Sequence, residues 1–183
     1  IIILFFWVKG LAGTLTTFII IVFSIVGAMG MAGWFGIALT PPSFAAIMII
    51  PTMAIADSVH ILMNYVVAMR HGENKHDAMV DSVRINLQPI FLTSVTTAIG
   101  FLSMNFSDAP PFHDLGNIVA MGVLVAFVLS VTFLPAIMMI LPGQQKVEET
   151  SSSKMMTQFA EFVIANRKRL LFGMGLASLV IIS

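Results

Sequence analysis

The chain has 183 residues, 58% of them hydrophobic and 10% charged, and its nine basic and nine acidic side chains cancel to a formal net charge of zero. A soluble domain carries about 25% charged residues, so a water-soluble globular protein is excluded, and the absent net charge argues against nucleic acid as a partner. With no cysteine, disulfides and thiolate metal sites are excluded as well.

Taken in order, the chain opens on a partial apolar run, residues 1–8, and closes on another, residues 169–183. Both ends read as cuts through membrane helices. The first run has neither a basic n-region nor a small-residue cleavage site, so it is not a signal peptide. Between them, residues 14–39, 44–70, 86–107 and 115–141 each reach the roughly 20 apolar residues that cross a hydrocarbon core. Lys9-Gly10, Pro41-Pro42, His71-Gly72, Asp108-Ala109-Pro110-Pro111 and Pro142-Gly143 separate the runs with turn chemistry. The fold class predicted is all-α, a polytopic membrane helix bundle over residues 1–141. A polar, Ser-rich linker over 142–168 and the start of a further membrane helix at 169–183 follow.

The basic residues give this topology an orientation. Lys9 lies in the first loop, Arg70, Lys75 and Arg84 in or beside the third, and Lys146, Lys154, Arg167, Lys168 and Arg169 in or beside the fifth; the second and fourth loops hold none. Cytoplasmic loops are enriched in Lys and Arg, so loops 9–13, 71–85 and 142–168 are expected on the cytoplasmic side. Within 71–85 a short surface helix is predicted, with Asn74 as its cap and Met79, Val80, Val83 and Leu87 on its apolar face.

In the second segment Gly27, Gly30, Gly33 and Gly36 recur every three residues. Small residues let helices approach closely in lipid, so these glycines are read as packing positions on a central helix. No glycine-rich phosphate loop followed by Lys-Ser/Thr is present, which removes nucleotide hydrolysis.

The third segment carries the chemistry. Asp57 lies midway along an apolar run, where an acid costs about 2.5–3.5 kcal/mol to insert and by default marks an ion or substrate path. At about 100° per residue, His60 and Asn64 fall within roughly 60° of Asp57, a polar stripe running from mid-membrane to the cytoplasmic side. Burial disfavours a carboxylate's anion, so an acid here can gain and lose a proton. Pro51, six residues earlier, frees the carbonyl of Ile47 and kinks or loosens the helix. On the next segment Thr93, Thr96, Thr97 and Gly100 share one face that could meet Asp57; interhelical hydrogen bonding is the plainer use of such hydroxyls. A haem or metal at His60 lacks a second imidazole at matching depth, because His113 lies in an external loop. No cofactor and no metal are expected.

The run Asp57-Ser58-Val59-His60-Ile61-Leu62, the run from Leu92 through Phe101 with Phe106-Ser107 after it, and Leu134-Pro135-Ala136 resemble the resistance-nodulation-division superfamily. The resemblance is to its MMPL-type hydrophobe and lipid exporters, related to Patched and the sterol-sensing domains. It implies a proton-driven permease of two repeats, of which this chain holds the second to seventh helices, with residues 1–8 ending the second. The proton-relay acid then carries over to Asp57, and the hydroxyls of the following helix to Thr96 and Thr97. One departure stands at the acid: many members read Gly-Val-Asp-Tyr, whereas this chain reads Ile55-Ala56-Asp57-Ser58, and His60 keeps the frequent Asp-x-x-His spacing.

The function expected is export of hydrophobic or amphiphilic molecules such as lipids or drugs, driven by protons, in a bacterial inner membrane, not enzymatic turnover. Its partners would be the substrate, protons, the bilayer, the second repeat, and either a homo-oligomer or accessory periplasmic proteins. Two rivals remain open at this point, a non-transporting sterol-sensing-like lipid-binding module and an accessory membrane subunit of protein translocation.

Overall fold

A computed structural model describes residues 11–141 together with residues 165 and 166. The segments predicted at 1–8 and 169–183, and the linker at 142–168 apart from those two residues, lie outside the described residues. The chain divides into two units, Ile1–Gln145 and Lys146–Ser183, and the long helices all lie in the first. They are α1 (Leu11–Trp34), α2 (Ala46–Arg70), α3 (Lys75–Leu102) and α4 (Pro110–Ile140), with 3-10 turns at Pro41–Ala45 and Ser103–Phe106. Each is long and apolar enough to cross a membrane. Helices answer the physics of the bilayer, because every backbone N–H and C=O in the hydrocarbon must be satisfied within the chain.

Boundaries follow from local chemistry. α1 stops at Trp34, five residues short of the predicted end, because Gly36 turns left-handed at φ 68°. The Ile37 N–H then donates to Ala32 O at 2.9 Å and the Gly36 N–H to Gly33 O at 3.3 Å, the paired bonds of a Schellman cap. Gly36 is therefore a helix stop, not the packing position expected of it. Pro110 and Pro111 open α4 instead of separating it from α3, since a first-turn residue needs no N–H partner. Pro51 lies inside α2, which continues through it, and the Thr52 hydroxyl donates to Ile49 O at 2.7 Å in the same turn.

The surface helix expected in 71–85 is not separate. Asn74 does cap it, accepting from the N–H groups of His76 and Asp77 at 3.1 and 2.9 Å, but α3 then runs unbroken from Lys75 to Leu102. The reason lies in its buried row: Ala78, Ser82, Asn86, Ile90, Ser94 and Ala98 stand four residues apart across the predicted break. Val80 and Leu87 of the expected apolar face are exposed.

α4 packs against all three other helices, and α2 does likewise, whereas α1 and α3 do not touch. The centre is therefore the α2–α4 seam, not the glycine-striped α1. α4 buries Ile118, Gly122, Ala126, Ser130, Leu134 and Met138, again four apart, the i±4 ridge by which helices interdigitate. Its glycines make the closest approaches. A Cβ on Gly122 would collide with the Ile50 side chain of α2, and one on Gly116 with the Phe101 carbonyl oxygen of α3. Of the four glycines in the three-residue repeat only Gly27 is near a neighbour, Val125 at 3.2 Å; Gly30, Gly33 and Gly36 have nothing within 4 Å of a built Cβ.

The two ends of the bundle are fixed differently. At one end, where Arg70 and Lys75 lie, Lys75 Nζ donates to Met139 O and Leu141 O at 3.1 and 2.7 Å, a cation closing the negative end of α4. At the other, the Asn105 and Asn117 amides exchange two bonds of 3.0 Å between the end of α3 and the start of α4.

Candidate functional site

Asp57 sits in the twelfth position of the 25-residue α2 and is 2% exposed. The contact of Ile50 with Gly122 sets the register of the seam. Because α2 and α4 run in the same direction, eight residues further along each, Ser58 and Ser130 reach one level, about 12 Å deeper at 1.5 Å per residue. Both serines are wholly buried. From α3, Ser94 approaches the Asp57 carboxyl. Three helices thus deliver one acid and three hydroxyls to the middle of the bundle.

These groups are not satisfied by the protein around them. Among the described residues Asp57 Oδ2 and the hydroxyls of Ser58, Ser94 and Ser130 are buried without a hydrogen-bond partner. The contrast with the other hydroxyls is informative. Thr16, Thr17, Ser24, Thr96 and Thr132 each donate to the carbonyl four residues back, at 2.6–2.9 Å, which is how a helix in lipid hides a hydroxyl. An orphaned buried polar group costs about 1–3 kcal/mol, so four of them together mark a place where folding has not been optimised for stability.

A second polar layer lies toward the Arg70–Lys75 end. The Ser82 hydroxyl donates to Ile61 O at 2.5 Å, and Asn86 Nδ2 donates to Ser82 O at 2.7 Å. Both side chains are buried, as is Tyr65.

The residues singled out in the sequence are distributed unevenly. Asp57 is buried, Asn64 half-buried and His60 exposed, so the expected stripe splits around α2. Thr96 is exposed and back-bonded to Leu92 O, and Thr97 is half-buried. The α3 side chain brought to the acid is Ser94, which shares the buried row of Ile90 and Ala98. Ser58, Ser94 and Ser130 escaped the sequence reading. Their signal was the four-residue spacing of small residues on α2, α3 and α4. His113, at the far end, lies 2.7 Å from Ser107 O through Nε2, and among the described residues no group of three or more His, Asp or Glu could hold a metal.

Comparison with known proteins adds one finding. No curated protein and no solved structure matches the chain, whereas the profile of the MMPL family matches residues 1–167.

Proposed function

The chain belongs to the MMPL family, membrane transporters rather than enzymes, and from that premise we propose that it is a proton-driven exporter of hydrophobic or amphiphilic molecules with Asp57 as proton carrier. The observation that carries this reading is the acid itself. It is buried midway along a spanning helix, one oxygen has no partner, and it forms no ion pair among the described residues. A structural acid in lipid is paired or hydrogen-bonded; an acid with a buried, unpartnered oxygen is suited to gaining and losing a proton.

In this reading protonation removes the charge from the α2–α3–α4 junction and lets the turn at Pro51 relax, so that packing in the bundle follows the state of Asp57. One charge crossing 100 mV supplies about 2.3 kcal/mol, to which a pH gradient adds. The Arg70–Lys75 end faces the cytoplasm, and the membrane is the bacterial inner membrane.

The test is Asp57→Asn in full-length protein reconstituted into vesicles, reading substrate efflux and proton influx together. Loss of both is expected. Unchanged flux of both would remove the proton-carrier role and favour a lipid-binding module of the same architecture.

A further inference from the structure

The buried polar groups are not spread evenly along the seam. From Ala46 to Ala54 of α2, a length of about 12 Å, the buried residues of α2 and α4 are apolar: Ala46 and Ile50 cluster with Ile118, Val119 and Val123 of α4 and with Ala28 and Ala32 of α1, and Ala54 and Ala126 are buried beyond them. From Asp57 to Tyr65, an equal length, polar groups join the buried set: beside Ile61 and Leu62 of α2, Ile90 of α3 and Leu134 of α4 stand Asp57 and Ser58 on α2, Ser130 on α4, Asn86 and Ser82 on α3, then Tyr65. The hydroxyls of Ser58 and Ser130 share a level across the α2–α4 seam but do not bond to each other or to any other described group.

Two buried hydroxyls that bond neither to each other nor to any described group, together with the unpartnered carboxylate oxygen of the residue before Ser58, offer a water the two to four partners that a buried water needs. Each hydroxyl can donate one hydrogen bond and accept another, so a proton can pass along such a chain without leaving a charge on any serine.

We propose that Asp57 exchanges its proton with the Arg70–Lys75 side of the membrane through a water-bearing polar column inside this bundle. In this column Ser58 and Ser130 position the first water and Asn86 and Ser82 line the continuation. The apolar half of the same seam is the seal toward the opposite side. The carboxylic O–H gives its proton to the water held by the serines, that water passes a proton to the next water beside Asn86 and so to the Arg70–Lys75 side, and Asp57 is left as the carboxylate. The inference rests on the proton-carrier reading above, and it adds a direction and two positioning residues on α2 and α4.

The test compares wild type, Asp57→Asn, Ser58→Ala, Ser130→Ala and Ser130→Thr in full-length protein in vesicles with a trapped pH dye, in H2O and in D2O. Removing a group that positions water is expected to slow proton flux about tenfold or more, less than loss of a group that itself transfers a proton. In Ser58→Ala and Ser130→Ala the solvent isotope ratio should rise while the substrate KM stays put, and Ser130→Thr should restore much of the flux. A merely structural serine would not move the isotope ratio. If Asp57→Asn abolishes flux while both alanine variants keep wild-type rate and isotope ratio, the column is wrong and the carrier stands. If Asp57→Asn keeps its flux, both fall.

A second measurement does not depend on turnover. The 183 residues contain no cysteine, so Ser130→Cys and Ile50→Cys can each be probed with Ag+ added from either side. Reaction of Ser130→Cys from the Arg70–Lys75 side, with Ile50→Cys silent from that side, is expected; equal reactivity, or silence at both, overturns the proposal.

Discussion

Gly116→Ala is the substitution that the packing of this bundle should tolerate least. The added methyl would be driven into the Phe101 carbonyl oxygen, with Met104 Cβ at 3.1 Å and the Phe101 carbonyl carbon at 3.3 Å. An ordinary carbon–oxygen contact needs about 3.3 Å or more, and the obstacle is backbone, which cannot rotate aside as a side chain can. α3 and α4 must therefore separate at this end, and backbone shifts of that kind cost about 1–3 kcal/mol. The same movement strains the two Asn105–Asn117 bonds, each worth about 0.6 kcal/mol in a membrane helix pair. Together these give about 2–4 kcal/mol, roughly 30- to 1,000-fold in the folding equilibrium. Gly30→Ala is the matched control: nothing lies within 4 Å of its Cβ, and alanine favours a helix by about 1 kcal/mol over glycine. Unfolding in detergent, followed by helical circular dichroism, should show a large loss for Gly116→Ala and none for Gly30→Ala. Equal stability of the two variants would refute the close-approach account of the α3–α4 contact.

Two further substitutions probe the helix ends. Gly36→Ala places a side chain at φ 68° and should cost about 1 kcal/mol, with Gly36→Asn milder; no difference between them in the same unfolding measurement would contradict the Schellman cap. Lys75→Met removes the cation from Met139 O and Leu141 O and should lower stability by about 0.5–1 kcal/mol, and Lys75→Arg should recover part of it, an order that a reversal would overturn.

Much of the architecture was legible because membrane physics writes it plainly. Length and apolarity mark the spans, Asn74 declares a cap, and a lone acid in an apolar run marks its own position. What the sequence concealed has physical reasons. A three-residue glycine repeat on α1 looks like the strongest packing signal, yet close approach depends on the facing residue, and Gly116 and Gly122 meet a carbonyl and an isoleucine while Gly30 meets nothing. The unbroken α3 was hidden because Asp77, Asp81 and Arg84 polarise its outer face, whereas continuity is decided by the small residues Ala78, Ser82 and Asn86 on the inner one. Helical periodicity alone could not choose between the Thr93–Thr96–Thr97 face and the Ile90–Ser94–Ala98 face as the one meeting Asp57. The answer needs the crossing of α2 and α3, which no single-helix pattern contains.

The stability of Asp57→Asn, measured apart from transport, separates the two readings of the acid. If the carboxylate were one half of a buried ion pair, deleting its charge would strand the partner and cost about 3–5 kcal/mol. The structure describes the opposite situation. Asp57 Oδ2 and three neighbouring hydroxyls are buried without partners, so the acid contributes cost rather than cohesion, as strained groups at functional sites do. An amide of the same shape cannot become an anion out of water, and it offers an N–H2 donor that Ser58 or Ser94 can accept. Asp57→Asn is therefore expected to unfold within about 1 kcal/mol of wild type, or above it, while losing flux, the usual direction of a stability–activity trade-off. A loss of 3 kcal/mol or more would identify Asp57 as a structural acid, and the orphaned hydroxyls around it would then need a different cause.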